Sequence, residues 1–363
     1  MKAFFVSLGL FLMLATACKN NSLAQEKTTH SLFTHRLSDT LIYQTGIRCI
    51  FQDSKGNYWF GSDWEGACMF DGTHFRYFNK INGLGGEQIY TIQEDENGNI
   101  YFNSNKGLYR YDGTTINEIS FKNAVSTPST LWNSTQNTLP IQTTWENTTN
   151  GLLFGLGKNV VYINKQKNYF LKCPITPKDE IQEGLLRVTA ISQGKTGNLW
   201  VANYSGVWGY DKQKLIILTD SVLQYDGKSA YLHVRSILED SKQRLWIGNN
   251  GIGVLLRENS IISPFSQQHN LVQGEIFQRK SPPNTLMHVF AMAEDKHGNI
   301  WFGDRDTGAW RYDGKEIKNF IINPQLKMQH IWHIYEDKQG NLHFAMGDKG
   351  VYLFNEEKFE RVF

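Results

Sequence analysis

Cysteine is scarce in this chain, and what there is does not invite pairing. Of four cysteines, Cys18 falls in the apolar N-terminal segment. Cys49, Cys68 and Cys173 remain, an odd number without metal-ligand spacing. A disulfide between Cys49 and Cys68 stays open, but buried free thiols are the expected outcome. Blocks of lysine and arginine are lacking too, and the formal net charge is only +2, which argues against a nucleic-acid binder with its concentrated basic patch. Beyond residues 1–25 no apolar run is long enough to span a membrane. No nucleophile elbow, phosphate-binding loop, His-Glu-x-x-His or dinucleotide fingerprint occurs. Acidic residues fall almost entirely in repeated turns, so no carboxylate pair suited to glycoside hydrolysis stands out.

What is present is an ordinary globular balance, 40% hydrophobic and 20% charged, with aromatics at 13%. That allows a large core and favours strands. Residues 1–25 read as a targeting segment, with Lys2 at its positive start and an apolar run from Ala3 to Ala17. Leu14-Ala15-Thr16-Ala17-Cys18 resembles a bacterial lipoprotein signal, which makes Cys18 the candidate lipidation site. Ordinary cleavage after Ala24 is the alternative. Both place the mature chain outside the cytoplasm, either anchored by lipid in the cell envelope or secreted. A polar tether follows at 26–31, and a single domain is expected over 32–363.

One phrase returns seven times: an acidic turn ending in Gly-Asn, an aromatic-apolar pair, a small residue, a further Gly and an Asp-Gly. Its aromatic position falls at Trp59, Tyr101, Leu153, Trp200, Trp246, Trp301 and His343, at spacings of 42, 52, 47, 46, 55 and 42 residues. Units of that length cannot bury a core alone and must stack. In the clearest copy, strands are predicted at Val289 to Glu294, Ile300 to Gly303, Gly308 to Tyr312 and Glu316 to Phe320. The turns Asp295-Lys296-His297-Gly298-Asn299 and Asp313-Gly314 separate them, because Asp and Asn cap their own backbone and Gly takes positive φ. Four antiparallel strands per copy make a blade, and seven copies make an all-β, seven-bladed β-propeller. The third copy is degenerate, with Asn147 and Asn150-Gly151 in place of the turn, and the fourth has Gly194 where others have Asp. Leu32 to His35 and Lys358 to Phe363 both qualify as the strand that seals the ring.

Ala291-Met292-Ala293-Glu294-Asp295 running on through Gly298-Asn299-Ile300-Trp301-Phe302-Gly303 to Arg311-Tyr312-Asp313-Gly314 resembles the two-component regulator propeller repeat. Ile92-Gln93-Glu94-Asp95 with Gly107 to Gly113 carries it again. The resemblance implies an extracytoplasmic, sensor-like propeller. It departs from the family in lacking a membrane helix, a kinase and a regulator region, so no signalling output is implied for this chain alone.

Function is expected where the copies differ. The connections at 121–142, 172–186 and 264–287 are long and lie on one face, whereas the acidic-turn hairpins opposite stay tight. The residue before each first strand is polar: Gln88, Arg187, His233, His288 and His330, with Gly46 in the first copy. Two residues later come Arg48, Tyr90, Thr189, Arg235, Phe290 and Trp332. The second-to-third loops add Asp63-Trp64-Glu65, Asn249-Asn250 and Asp304-Arg305-Asp306. The candidate ligand contacts are these polar leads, the followers other than Thr189, and Trp64 and Arg305 from the loops. Three readings compete. The polar groups cap strands, or they form a non-enzymatic binding mouth for a carbohydrate, peptide or envelope protein. Alternatively, His233, His288 and His330 hold a divalent metal for a lyase or oxygenase reaction. Streptogramin lyases share the seven-bladed fold, but their full motif is absent here.

Overall fold

The computed structural model describes residues 37–119, 125–126, 132–133, 141–142, 151–164, 168–177, 180–211, 214–223, 232–274, 280–326, 328–348 and 350–363. The targeting segment, Cys18, the tether and Leu32 to His35 lie outside the described residues, as does most of 121–142.

The acidic turn forms as its side chains dictate. Asp53 Oδ1 accepts from the backbone N–H of Lys55 at 3.0 Å and of Asn57 at 2.8 Å. Its Oδ2 accepts from Asn57 Nδ2 and from the indole N–H of Trp59, both at 2.8 Å. Asp240 and Asp295 hold Trp246 and Trp301 the same way at 2.8 Å. Asp95 takes the Tyr101 hydroxyl at 3.2 Å, and Asp337 takes His343 Nε2 at 2.9 Å. One carboxylate therefore closes the hairpin and orients the ring that packs the blade. Hydrogen bonds to an ionised acceptor are worth about 1.5–3 kcal/mol each.

The fourth copy solves its missing aspartate from next door. Glu239, on the neighbouring blade, accepts from the Trp200 indole N–H and, at 3.0 Å, from Asn198 Nδ2. A Cβ placed on Gly194 would sit 2.0 Å from Glu239 Oε1, so the borrowed carboxylate occupies the space of the absent side chain.

The sixth copy folds as read, with strands Val289–Glu294, Ile300–Asp304, Ala309–Tyr312 and Ile317–Phe320 antiparallel in that order. Seven sheets make a seven-bladed β-propeller. Six have a described innermost strand: Ile47–Gln52, Ile89–Glu94, Val188–Gln193, Val234–Glu239, Val289–Glu294 and Ile331–Glu336. The third blade differs. Leu152–Leu156, Asn159–Ile163 and Asn168–Leu171 are antiparallel, and Ile141–Gln142 runs parallel outside them. Among the described residues no strand lies on the channel side of Leu152–Leu156. Its free edge is met by side chains instead: Gln93 Nε2 donates to Leu153 O at 2.7 Å and Asn103 Nδ2 to Gly155 O at 3.0 Å.

Blades stack through the repeated aromatics. Trp59 packs on Phe78 of its own blade and Phe102 of the next, at ring separations of 5.3 and 5.7 Å. The glycine of the phrase is required by close approach: a Cβ on Gly61 would lie 2.8 Å from Ile89 of the following blade. The last blade owns its fourth strand, Phe359–Arg361, and Leu37–Ser38 adds to the outer edge of the first. The last and first blades meet as other neighbours do, with Lys338 N donating to Gln52 Oε1 at 3.0 Å and the Phe363 ring 4.9 Å from Phe60. Cys49, Cys68 and Cys173 are buried and free. No helix among the described residues is long and apolar enough to cross a membrane.

The borrowed carboxylate is testable by a double substitution. Glu239→Ala should cost about 2–3 kcal/mol in denaturant unfolding by stranding the indole and amide donors. Gly194→Asp alone should also destabilise by steric and charge conflict with Glu239. Combined, the two should recover most of the loss, because the new aspartate restores the arrangement of the other copies.

Candidate functional site

An innermost strand exposes one edge to the axis, and its N–H and C=O groups need partners. Side chains of the preceding blade supply them. Thr189 Oγ1 donates to Val234 O at 3.0 Å, and Ser236 Oγ to Val289 O at 3.1 Å. Glu239 N–H donates to Ser192 Oγ at 2.9 Å. Ile50 N–H donates to His333 Nδ1 at 3.2 Å and Gln52 N–H to the Tyr335 hydroxyl at 2.9 Å, across the ring closure. These polar residues are structural.

Each of the six strands also carries a β-bulge at its start, leaving one residue without a partner in the ladder: Arg48, Tyr90, Thr189, Arg235, Phe290 and Trp332. A bulge re-aims the extra side chain. All six turn into one cavity of about 900 Å³ on the axis. Five of the six were candidates from sequence. Gln88 and Arg187 line the same space, as do Lys106, Tyr204, His333 and Tyr335, which sequence reading did not select.

The bulge residues hold one another. The Arg48 guanidinium lies 4.2 Å over Trp332 and 5.5 Å from Tyr90, and its Nε donates to Asp63 Oδ1 at 2.5 Å. Asp63 also accepts from Gln88 Nε2 at 2.8 Å, and Gln88 Oε1 accepts from the Tyr90 hydroxyl at 2.8 Å. Arg187 reaches past the third blade to stack 4.6 Å over Tyr90. Arg235 sits 4.8 Å from both Tyr204 and Phe290, and donates to the Tyr204 hydroxyl at 3.0 Å. Burial leaves its charge less favoured than usual.

The remaining candidates stand elsewhere. His233, His288, His330, Trp64 and Arg305 do not line the cavity. The carbonyls of His233, His288 and His330 receive the backbone N–H of Asn250, Arg305 and Gly347 at 2.8, 2.9 and 2.7 Å, clamping the second-to-third loops. His288 Nδ1 donates to Asn250 Oδ1 at 2.9 Å, and Asn250 Nδ2 faces His233 Nδ1 at 3.4 Å. His330 stacks on Trp332 at 4.2 Å and braces it. Trp64 is 54% exposed on the rim, and Arg305 pairs with Asp306 at 2.7 Å. No group of three or more His, Cys, Asp or Glu among the described residues is placed to hold a metal ion.

The family described as two component regulator propeller matches at residues 42–64, 229–251 and 285–306, which fall on the innermost strand, acidic turn and second strand of the first, fifth and sixth blades. The chain carries two-component regulator propeller repeats. Solved structures similar to it include the extracellular domain of the hybrid two component system BT3049 from B. thetaiotaomicron, at 20% identity and a TM-score of 0.61 over 88% of this chain. The match spans 40% of that domain's length, so this chain corresponds to about two fifths of it. Virginiamycin B lyase from Staphylococcus aureus, solved with quinupristin, aligns at 16% identity and TM-score 0.58 over 87% of this chain and 98% of the lyase. YCF48 bound to D1 peptide aligns at 9% identity and TM-score 0.56, over 88% and 94% of the two chains. At these identities the likeness shows the fold. No curated protein is significantly similar in sequence.

The histidines give a pH signature. Burial pushes His288 and His333 down to about 4 and His330 to about 3, from an ordinary 6.5. Below pH 6.5 the unfolded chain takes up protons that the folded one refuses, so stability is complete above that pH and declines toward pH 4. His333→Gln should flatten that decline in melting temperature between pH 7 and 4.

Proposed function

We propose that this chain is an exported, non-enzymatic recognition module that binds its ligand in the axial cavity. The observation that carries this reading is the alignment of six bulges, each turning one side chain out of the ladder and into one space. A cavity of about 900 Å³ falls in the range of small-molecule sites. Its walls mix aromatic faces with guanidinium forks, which suit a polar ligand such as a carbohydrate or short peptide. Propellers of this shape have been solved with quinupristin and with a peptide, which supports use of the fold as a binding frame. The repeat family supports a sensor-like role. Catalysis fits less well: the His333 imidazole spends Nδ1 on Ile50 and is a weak base, pushed down to about 4 by burial.

The targeting segment supports export, and Cys18 supports a lipid anchor in the bacterial envelope. Metabolic palmitate labelling should therefore be lost in Cys18→Ala while export persists by the alternative cleavage. For the site, a thermal-shift screen of glycans and short peptides should yield a ligand whose shift disappears in Tyr90→Ala and Phe290→Ala. The same shift should survive in Trp64→Ala, on the rim. A shift indifferent to Tyr90 and Phe290 would place the ligand outside the channel.

A further inference from the structure

The sign of the charge in the cavity goes further. Arg48, Lys106, Arg187 and Arg235 line it, and no Asp or Glu does so among the described residues. The whole chain is close to neutral, with 37 Lys and Arg against 35 Asp and Glu, so this separation is local. Arg48 is paired with the Asp63 carboxylate at 2.5 Å. Arg187 and Arg235 have no carboxylate partner among the described residues, and the buried Nε of Arg235 has no hydrogen-bond partner. Stacking on aromatic rings returns only part of the cost of withdrawing a guanidinium from water, about 0.5–2 kcal/mol per contact. The arrangement is electrostatically unfinished.

The two guanidiniums without carboxylate partners rest on rings of different blades. Arg187 leans over Tyr90 of the second blade, whereas Arg235 is set between Tyr204 of the fourth and Phe290 of the sixth. Stacking fixes the plane of each fork, and Arg235 spends one Nη1 donor on the Tyr204 hydroxyl. Each is therefore a separate cationic group held by rings of other blades. A planar fork matches a planar carboxylate through two parallel N–H···O bonds.

We propose that the axial cavity takes a small polycarboxylate, with one carboxylate on Arg187, another on Arg235, and Arg48 and Lys106 adding attraction. The proposal rests on the channel-binding reading and narrows its ligand class. Uronate saccharides, acidic peptides and organic polyacids share this chemistry, so each needs its own probe.

Isothermal titration of the full chain should be run with digalacturonate, Glu-Glu and citrate. The dimethyl ester of digalacturonate and Gln-Gln serve as neutral counterparts, and pyrophosphate as a polyanion without carboxylates. At least one polycarboxylate should bind, its counterpart should not, and affinity should fall as ionic strength rises. Arg187→Gln and Arg235→Gln should each weaken binding about tenfold or more. Both should melt at or above the parent temperature, because each removes an uncompensated charge. Binding by none of the acids, or tighter binding by pyrophosphate than by any of them, overturns the proposal. So do arginine variants that melt far below the parent with unchanged affinity. Equal binding of a neutral counterpart, lost in Tyr90→Ala but not in the arginine variants, overturns the charge inference while leaving channel recognition standing.

Discussion

The structure depends on a carboxylate placed behind the hairpin in six of its blades. Asp53, Asp95, Asp240, Asp295 and Asp337 each hold their turn's backbone and the polar edge of the ring six residues on. Without that bond an indole N–H would be buried unpaired, at a cost that outweighs the value of an ordinary hydrogen bond. With it, the indole is fixed, the second strand is set against the first, and the face presented to the next blade is defined. The fourth copy shows that the requirement is for the carboxylate and not for its sequence position, since Glu239 reaches across from the neighbouring blade. The third copy has Leu153 at the aromatic position. It is also the blade whose described residues supply no innermost strand.

A second constraint decides which residues are free to do anything else. Innermost strands face the axis edge-on, and neighbouring strands satisfy those edges by lending side chains rather than pairing directly. Thr189, Ser192, Ser236, His333 and Tyr335 are committed to this duty. The bulge releases one residue per strand from the ladder and, except for Thr189, from edge duty as well. That residue is the place where the repeat can vary without breaking a blade, and it is occupied by Arg, Tyr, Thr, Arg, Phe and Trp.

This explains what the sequence disclosed and what it hid. The fold was legible because Gly, Asn, Asp and the aromatics recur for local reasons: turn geometry, an indole donor, and at Gly61 the approach of Ile89. Arg48, Tyr90, Arg235, Phe290 and Trp332 were legible as the positions that differ between copies. His233, His288 and His330 do not line the cavity, and their carbonyls receive backbone N–H groups of the second-to-third loops. Tyr204 was missed although it occupies the loop equivalent to Asp63-Trp64-Glu65. His333 was missed because the bulge shifts the alternation after Trp332, and a strict period of two cannot show such a shift.

The stacking around the axis ties the site to the ring. Arg48 of the first blade rests on Trp332 of the last, Arg187 of the fourth on Tyr90 of the second, and Arg235 of the fifth on Phe290 of the sixth. Each guanidinium is thus oriented by a ring from a different blade. The blades themselves are fixed by close-packed interfaces in which even a methyl group at Gly303 would lie 2.7 Å from Ile331. Such a scaffold cannot spread to relieve repulsion among its cations, so the conformational cost of holding them together is met during folding. A ligand that neutralises them then gains affinity without first having to order them, which is the advantage of a preorganised site.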